Sequence, residues 1–295
     1  MPGSALVAFS LRGGYILGTG SHHARHGPPA AMKGTVLKEF FFHLKTRFCA
    51  AVRHSLILTF KQWFFKGHYT RREVLFMLAC RYGTKGIEIG ACHHPMRLWR
   101  RFNHVLYLDI ETKEQWKKTV SLPPAEIMRA VRVDIIDDAN TLAAVPDNSQ
   151  DFLIANHVIE HCRNPIATLG NMFRVLKPEG ALYLSIPDKR FTFDAPRQAT
   201  SMQHFRDDYE KGPEVSDEAH YREWARVYEK LTDPEAIEKR TAELLRDQIN
   251  IHFHCWTPVE MIEFFLMLIR EYGFTFDIEM MCQNGIETVF VFKKQ

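Results

Sequence analysis

The 295-residue chain has six cysteines, and no two of them stand in Cys-x-x-Cys spacing. Cys49, Cys80, Cys92, Cys162, Cys255 and Cys282 are scattered, which excludes a zinc site built on paired thiols and argues against a secreted disulfide scaffold. A reducing, cytoplasmic setting is expected. No uncharged apolar run approaches the roughly 18 residues that a membrane-spanning helix requires. A strong charge of one sign is missing too: 38 Lys and Arg against 35 Asp and Glu leave a net charge of +3, too mild for a nucleic-acid surface. Acids are absent altogether from residues 1–38, which carry Arg12, Arg25, Lys33 and Lys38. Such a stretch reads as a targeting leader or as a disordered or misassigned start with Met32 as initiator. Either way, residues 1–35 are placed outside the fold.

Residues 36–70 read as a basic amphipathic helix rich in Phe, with Trp63 and with Glu39 as its one acid. A helix of this kind lies in a membrane interface or packs its apolar face on its own domain, and the second reading is preferred. Another helical pattern covers 71–82. Candidate strands then alternate with helical patterns at 86–89, 104–109, 131–135, 151–155 and 181–186, which predicts a doubly wound, mostly parallel α/β sheet. A helix is expected to end at Leu176-Lys177-Pro178-Glu179-Gly180. Residues 195–250 interrupt the alternation with charged, aromatic-bearing helices and read as a helical insertion. A helix at 258–271 opens with Thr257 as N-cap, Pro258 at the first position and Glu260 at the third. Strands at 274–281 and 288–292, joined at Asn284-Gly285, make a terminal antiparallel hairpin. The expected fold is therefore Rossmann-like and seven-stranded, with residues 71–295 as one domain.

Three stretches of wording carry a resemblance. Residues 146–186, reading PDNSQDFLIANHVIEH and later RVLKPEGALYL, resemble the fourth and fifth strands of the class I S-adenosylmethionine-dependent methyltransferases. The first strand ends Glu88-Ile89-Gly90, and Pro95 follows. This looks like the subset with E-I-G-x-x-x-x-P, often associated with glycosyltransferases. Residues 251–258 (IHFHCWTP) resemble the family phrase before its last helix. The resemblance implies S-adenosylmethionine as cofactor, Glu88 and Gly90 at its loop, Asn156 on the wall beside its methionine part, and one of Asp134, Asp137 or Asp138 at its adenine. Asp109 ends the second strand about 20 residues beyond Gly90, where a carboxylate accepts both ribose hydroxyl hydrogen bonds.

For the chemistry, a proton must leave an acceptor hydroxyl, and a histidine near neutral pKa suits that task. His157 and His161 stand four apart, so on a helix they would share one face. His161 ranks first as candidate base, His254 second and His157 third. Lys189 and Arg190, after the fifth strand, are candidates for an anionic acceptor. His252 and Trp256 are candidates for the acceptor side, an aromatic ring being suited to a sugar face. The pairs His93-His94, His157/His161 and His252/His254 raise the question of a metal, but no three-ligand set with a carboxylate assembles from spacing, so no metal is expected. The reading is O-methylation of a sugar, glycan or other small hydroxylated acceptor, with a glycosyltransferase as possible partner. The rival is a non-catalytic cofactor-fold protein that scaffolds a glycosyltransferase or membrane-associated complex, favoured by the shortened glycine motif.

Overall fold

A computed structural model describes residues 85–96, 98, 104–115 and 124–295, together with residues 73 and 76. The leader at 1–35, the basic helix at 36–70 and nearly all of the helix at 71–82 lie outside the described residues. Seven strands form one sheet in the order β3-β2-β1-β4-β5-β7-β6. They are β1 (Lys85–Ile89), β2 (His104–Asp109), β3 (Ile135–Ile136), β4 (Gln150–Asn156), β5 (Leu176–Pro187), β6 (Phe276–Asn284) and β7 (Glu287–Lys294). β1 to β5 run parallel, whereas β7 is antiparallel to both β5 and β6. The helices are α1 (Pro124–Arg129), α2 (Pro165–Val175), α3 (Met202–Lys211), α4 (Asp217–Val227), α5 (Pro234–Arg246) and α6 (Pro258–Tyr272). Among the described residues no helix is long and apolar enough to cross a membrane.

Phe152, Leu153, Ile154 and Ala155 in β4 are all buried, as a central parallel strand covered on both faces requires. Phe264, Phe265 and Leu268 of α6 and Leu169 and Met172 of α2 pack on one face of the sheet. The other face meets Phe76, whose ring lies edge-on to Phe152 and Tyr183. The helix starts follow the sequence signals. The Thr257 N–H donates to the Glu260 carboxylate at 2.9 Å, Pro258 opens α6, and Gly273 closes it at φ +70°. Residues 195–250 are indeed helical: α3, α4 and α5 lie here, and α4 and α5 share a small core of Tyr221, Ala225, Ile237 and Leu244.

The structure departs from the sequence reading at three places. The third strand is only Ile135–Ile136, and just before it the Asp134 side chain receives the Tyr107 N–H at 3.0 Å. The Lys177-Pro178-Glu179-Gly180 phrase belongs to β5 instead of the preceding helix. It forms an irregular strand entry, with Glu179 at φ +63°, and a Cβ on Gly180 would come within 2.7 Å of the Lys177 carbonyl oxygen. The hairpin turn is Gly285-Ile286, one residue later than expected, with Gly285 at φ +65° and Asn284 paired to Glu287.

Arg174, from the RVLKPEG phrase, reaches out of α2 to the loop before β4. Its guanidinium donates to the carbonyls of Thr141, Leu142 and Val145 at 3.1, 2.9 and 3.2 Å, which fixes the segment that carries Asp137 and Asp138. Replacing Arg174 with Met keeps the aliphatic stem and removes these charged hydrogen bonds. The expected loss of stability is about 2 kcal/mol, the scale of such bonds. Urea unfolding measures it, and a change under about 0.5 kcal/mol, the level of an ordinary surface substitution, would mean that the loop holds itself.

Candidate functional site

Strand order reverses between β1 and β4, and ligands of open α/β sheets bind at the carboxyl ends of the strands flanking such a reversal. A cavity of about 550 Å³ lies there, lined by Gly90, Asp109, Asp137, Asp138, His157 and His161, with Ile89, Leu108, Ala139 and Val158 as apolar wall. The insertion closes the other side with Asp217, Tyr221 and Leu245, and the segment after it adds Asn250 and Phe253.

Gly90 takes φ +63° and its N–H donates to the Leu108 carbonyl at 2.9 Å, so the chain leaves β1 by a left-handed step. Asp109 ends β2. Its Oδ1 accepts the Ile110 N–H at 2.8 Å, and its Oδ2 accepts the Cys92 thiol at 3.6 Å. Burial, then Asp109, pushes the Cys92 thiol up to about 12, so it stays a neutral donor. Asp137 accepts the N–H groups of Asp138 and Ala144, and Asp138 accepts the backbone and side-chain N–H of Asn140. These loops present carboxylates against apolar walls, a set of acceptors suited to the hydroxyls and amino group of a nucleoside whose base packs on aliphatic side chains.

Three of the expected cofactor residues, Glu88, Asp134 and Asn156, are not part of the cavity lining. Glu88 is 1% exposed, and both its carboxylate oxygens accept the Met96 N–H at 3.1 Å, closing the β1 loop from inside. Asp134 supports the edge of β2, as described above. Asn156 ends β4 with neither side-chain polar atom hydrogen-bonded, just before the lining residue His157.

The histidines are arranged differently from the helical-face expectation. His157 lies at φ +53°, outside the short 3₁₀ turn Ile159–His161, so no helix pairs it with His161. Both nevertheless line the cavity. His157 Nε2 lies 2.7 Å from Glu287, which also accepts the Ser185 hydroxyl. His161 Nδ1 lies 2.9 Å from the Asn250 side-chain oxygen and 3.0 Å from the Ile251 carbonyl. Two acceptors at Nδ1 place its proton there, so that Nε2 of the neutral ring carries the lone pair. Burial lowers the His161 pKa, against the opposing pull of Glu160. Glu160 is completely buried beneath this group, and its oxygens make no hydrogen bond, the nearest ionisable contact being His157 Nδ1 at 3.5 Å.

The acceptor-side candidates separate. His252 stays near the site: its Nδ1 is 2.7 Å from Asp194 and its ring meets that of His161 edge-on at 4.7 Å. His254 and Trp256 do not reach the cavity. His254 is fully buried behind Phe205, and Trp256 stacks on Phe205 within the core, its centroid 5.5 Å away. Of this segment Phe253 lines the cavity, whereas His254 and Trp256 turn into the core. Lys189 and Arg190 also lie outside the lining: Lys189 bonds the Ala195 carbonyl and Arg190 forms a fork with Asp188. Sequence reasoning missed Glu287, Asn250 and the insertion residues Asp217 and Tyr221, which are brought in by tertiary packing from positions with no motif.

A family model described as a methyltransferase domain matches residues 61–253. No curated protein matches the chain. Among solved structures, PH0226 of Pyrococcus horikoshii OT3 aligns at 16% identity over 76% of this chain and 87% of its own, with a TM-score of 0.41. A putative S-adenosyl-L-methionine-dependent methyltransferase of Methanococcus maripaludis aligns at 12% identity over 76% and 83%, with a TM-score of 0.40. A structure titled putative Zn-dependent alcohol dehydrogenases from Rhodobacter sphaeroides aligns at 14% identity over 80% and 94%, with a TM-score of 0.47.

Gly90 gives a test of the loop that is independent of any ligand. A Cβ there would meet only Val158 at 3.7 Å, so space is not the obstacle; the positive φ is. Gly90→Val is expected to cost about 1–3 kcal/mol of stability from backbone strain. Chemical denaturation reads this, and an unchanged midpoint would mean that the loop relaxes out of the left-handed conformation.

Proposed function

The chain belongs to the methyltransferase-domain family and its cofactor is S-adenosylmethionine, and from that premise we propose that it methylates an oxygen of a sugar, glycan or other small hydroxylated acceptor. The observation that carries the oxygen assignment is His161, a cavity-lining imidazole whose Nδ1 is committed to Asn250 and Ile251, leaving Nε2 as a proton acceptor. The cofactor supplies a methyl group already activated on a sulfonium. What remains for the protein is to hold the acceptor in line and to remove its proton as the oxygen attacks.

In this reading Asp109 receives the ribose hydroxyls, Gly90 lets the backbone come close, and Asp137 or Asp138 faces the adenine amino group. His161 takes the acceptor's proton at Nε2. Glu160 beneath it favours the imidazolium that forms, as a buried carboxylate beside an imidazole does. His157 is the second candidate base, but its Nε2 already engages Glu287. Tyr221, Phe253 and Asp217 form the acceptor wall, which places specificity in the helical insertion. Residues 71–295 are read as one catalytic domain working in the cytoplasm.

Asp109→Ala should weaken S-adenosylmethionine binding by about 1.5–3 kcal/mol, the scale of hydrogen bonds to a charged group. Calorimetry on the folded variant decides it, since unchanged affinity would remove Asp109 from the site. His161→Gln should cut kcat by about 10²–10⁴-fold while cofactor affinity stays near wild type. The lowered His161 pKa adds a pH test. A base must be unprotonated, and a depressed pKa keeps the ring neutral as pH falls through the ordinary value near 6.5. The acidic limb of kcat should therefore lie below 6.5 and vanish in His161→Gln. A limb that stays in place in the variant would assign it to another group.

A further inference from the structure

Outside the cavity, two helices of the insertion and the segment that follows it bring four side chains of metal-ligand type together. His204 and Asp208 stand one turn apart on α3, His220 lies on α4, and His254 lies on the segment before α6. Their ligand atoms all fall within 4.8 Å of one another. His204 Nε2 is 3.0 Å from His220 Nε2 and 3.2 Å from Asp208 Oδ2, and Asp208 Oδ2 is 3.7 Å from His254 Nε2. A tetrahedron of N and O ligands about 2.0–2.1 Å from a zinc ion has edges of about 3.3–3.4 Å. The observed separations bracket that value.

We propose that His204, Asp208, His220 and His254 form a structural zinc site that ties the helical insertion to the catalytic domain.

Satisfaction of buried polar atoms argues for an ion at the centre. Asp208 and His254 are both 0% exposed, yet Asp208 Oδ2 and His254 Nε2 have no hydrogen-bond partner. A buried carboxylate oxygen and a buried ring nitrogen that make no hydrogen bond are costly, and a shared cation satisfies both. The carboxylate is already oriented, since its Oδ1 accepts the Ser216 hydroxyl, the outer support that metal ligands commonly have. Aromatic rings of Phe205, Phe253 and Trp256 pack against His220 and His254, and His204 is the one partly exposed member of the cluster.

Three imidazoles and one carboxylate leave no open position, and this donor set suits zinc in a structural role. The position also has a consequence for the cavity. His220 directly precedes Tyr221 and His254 directly follows Phe253, and both of these neighbours line the cavity. An ion at this point would hold the acceptor wall in register without touching the acceptor.

Purified full-length protein, expressed with zinc present, is analysed for metal by mass spectrometry, and the zinc is then exchanged for Co²⁺. About one zinc per chain is expected, falling below about 0.2 in His220→Ala and Asp208→Asn as coordination is lost. His161→Gln should keep its zinc, and the Co²⁺ protein should show the visible bands of tetrahedral coordination. Chelation should lower the melting temperature and zinc should restore it. Wild-type protein without stoichiometric zinc or tetrahedral Co²⁺ bands overturns the proposal. So does zinc retained by both ligand variants, or zinc lost from His161→Gln alone, which would move the ion to the Glu160, His161 and His252 group. Should the variants fail to fold, the wild-type cobalt spectrum decides alone. None of these readouts depends on methyl transfer.

Discussion

Parallel strands on both sides of β1 leave the polypeptide no choice but to depart in opposite directions at the carboxyl end of the sheet, toward β2 on one side and β4 on the other. The resulting crevice is the constraint on which the site depends. It makes Gly90, Asp109 and the residues after Asn156 neighbours although they are far apart in the chain. Side chains elsewhere keep the crevice open. Glu88 binds the Met96 N–H beneath it, and Arg174 holds the loop that carries Asp137 and Asp138. Glu88 and Asp134, which resemble cofactor ligands in the sequence, thus support the segments that flank the crevice.

The insertion is tied to this frame by polar contacts as well as by packing. Arg163 pairs with Asp217 of α4, and the Asn164 side chain donates to the Asp208 carbonyl of α3 at 3.1 Å. Phe205 of α3 enters the main core beside Trp256. Arg197 donates to the carbonyls of His252 and Phe253, holding the segment that passes between insertion and sheet. That segment also donates a backbone hydrogen bond, from the Phe253 N–H to the Glu160 carbonyl at 2.9 Å. The cavity-lining Phe253, the buried Glu160 and the cluster of His204, Asp208, His220 and His254 therefore meet along one short stretch of chain.

What could be read in the sequence follows from which contacts are local. Strand alternation, the Thr257-Pro258-Glu260 helix start and the strand-end position of Asp109 are written in neighbouring residues, and the structure has each of them. The shared-face expectation for His157 and His161 failed because His157 adopts a left-handed backbone that spacing does not reveal. The sequence points His254 and Trp256 to the acceptor, but Phe253 is the residue of their segment that lines the cavity, and both of them are buried in the core. His204 and Asp208 keep the spacing of a helical ligand pair, yet their partners His220 and His254 come from separate elements. Only tertiary packing assembles that set.

The central claim is that the crevice between β1 and β4 holds the cofactor and that the insertion meets the acceptor. Hydrogen exchange of the full chain with and without S-adenosylhomocysteine tests it most directly, because protection reports each backbone segment separately. Slowed exchange is predicted at residues 89–92, 108–110, 137–140 and 156–161, with much smaller changes in β6 and β7. Protection absent from these four segments, or confined to the insertion, would contradict the account.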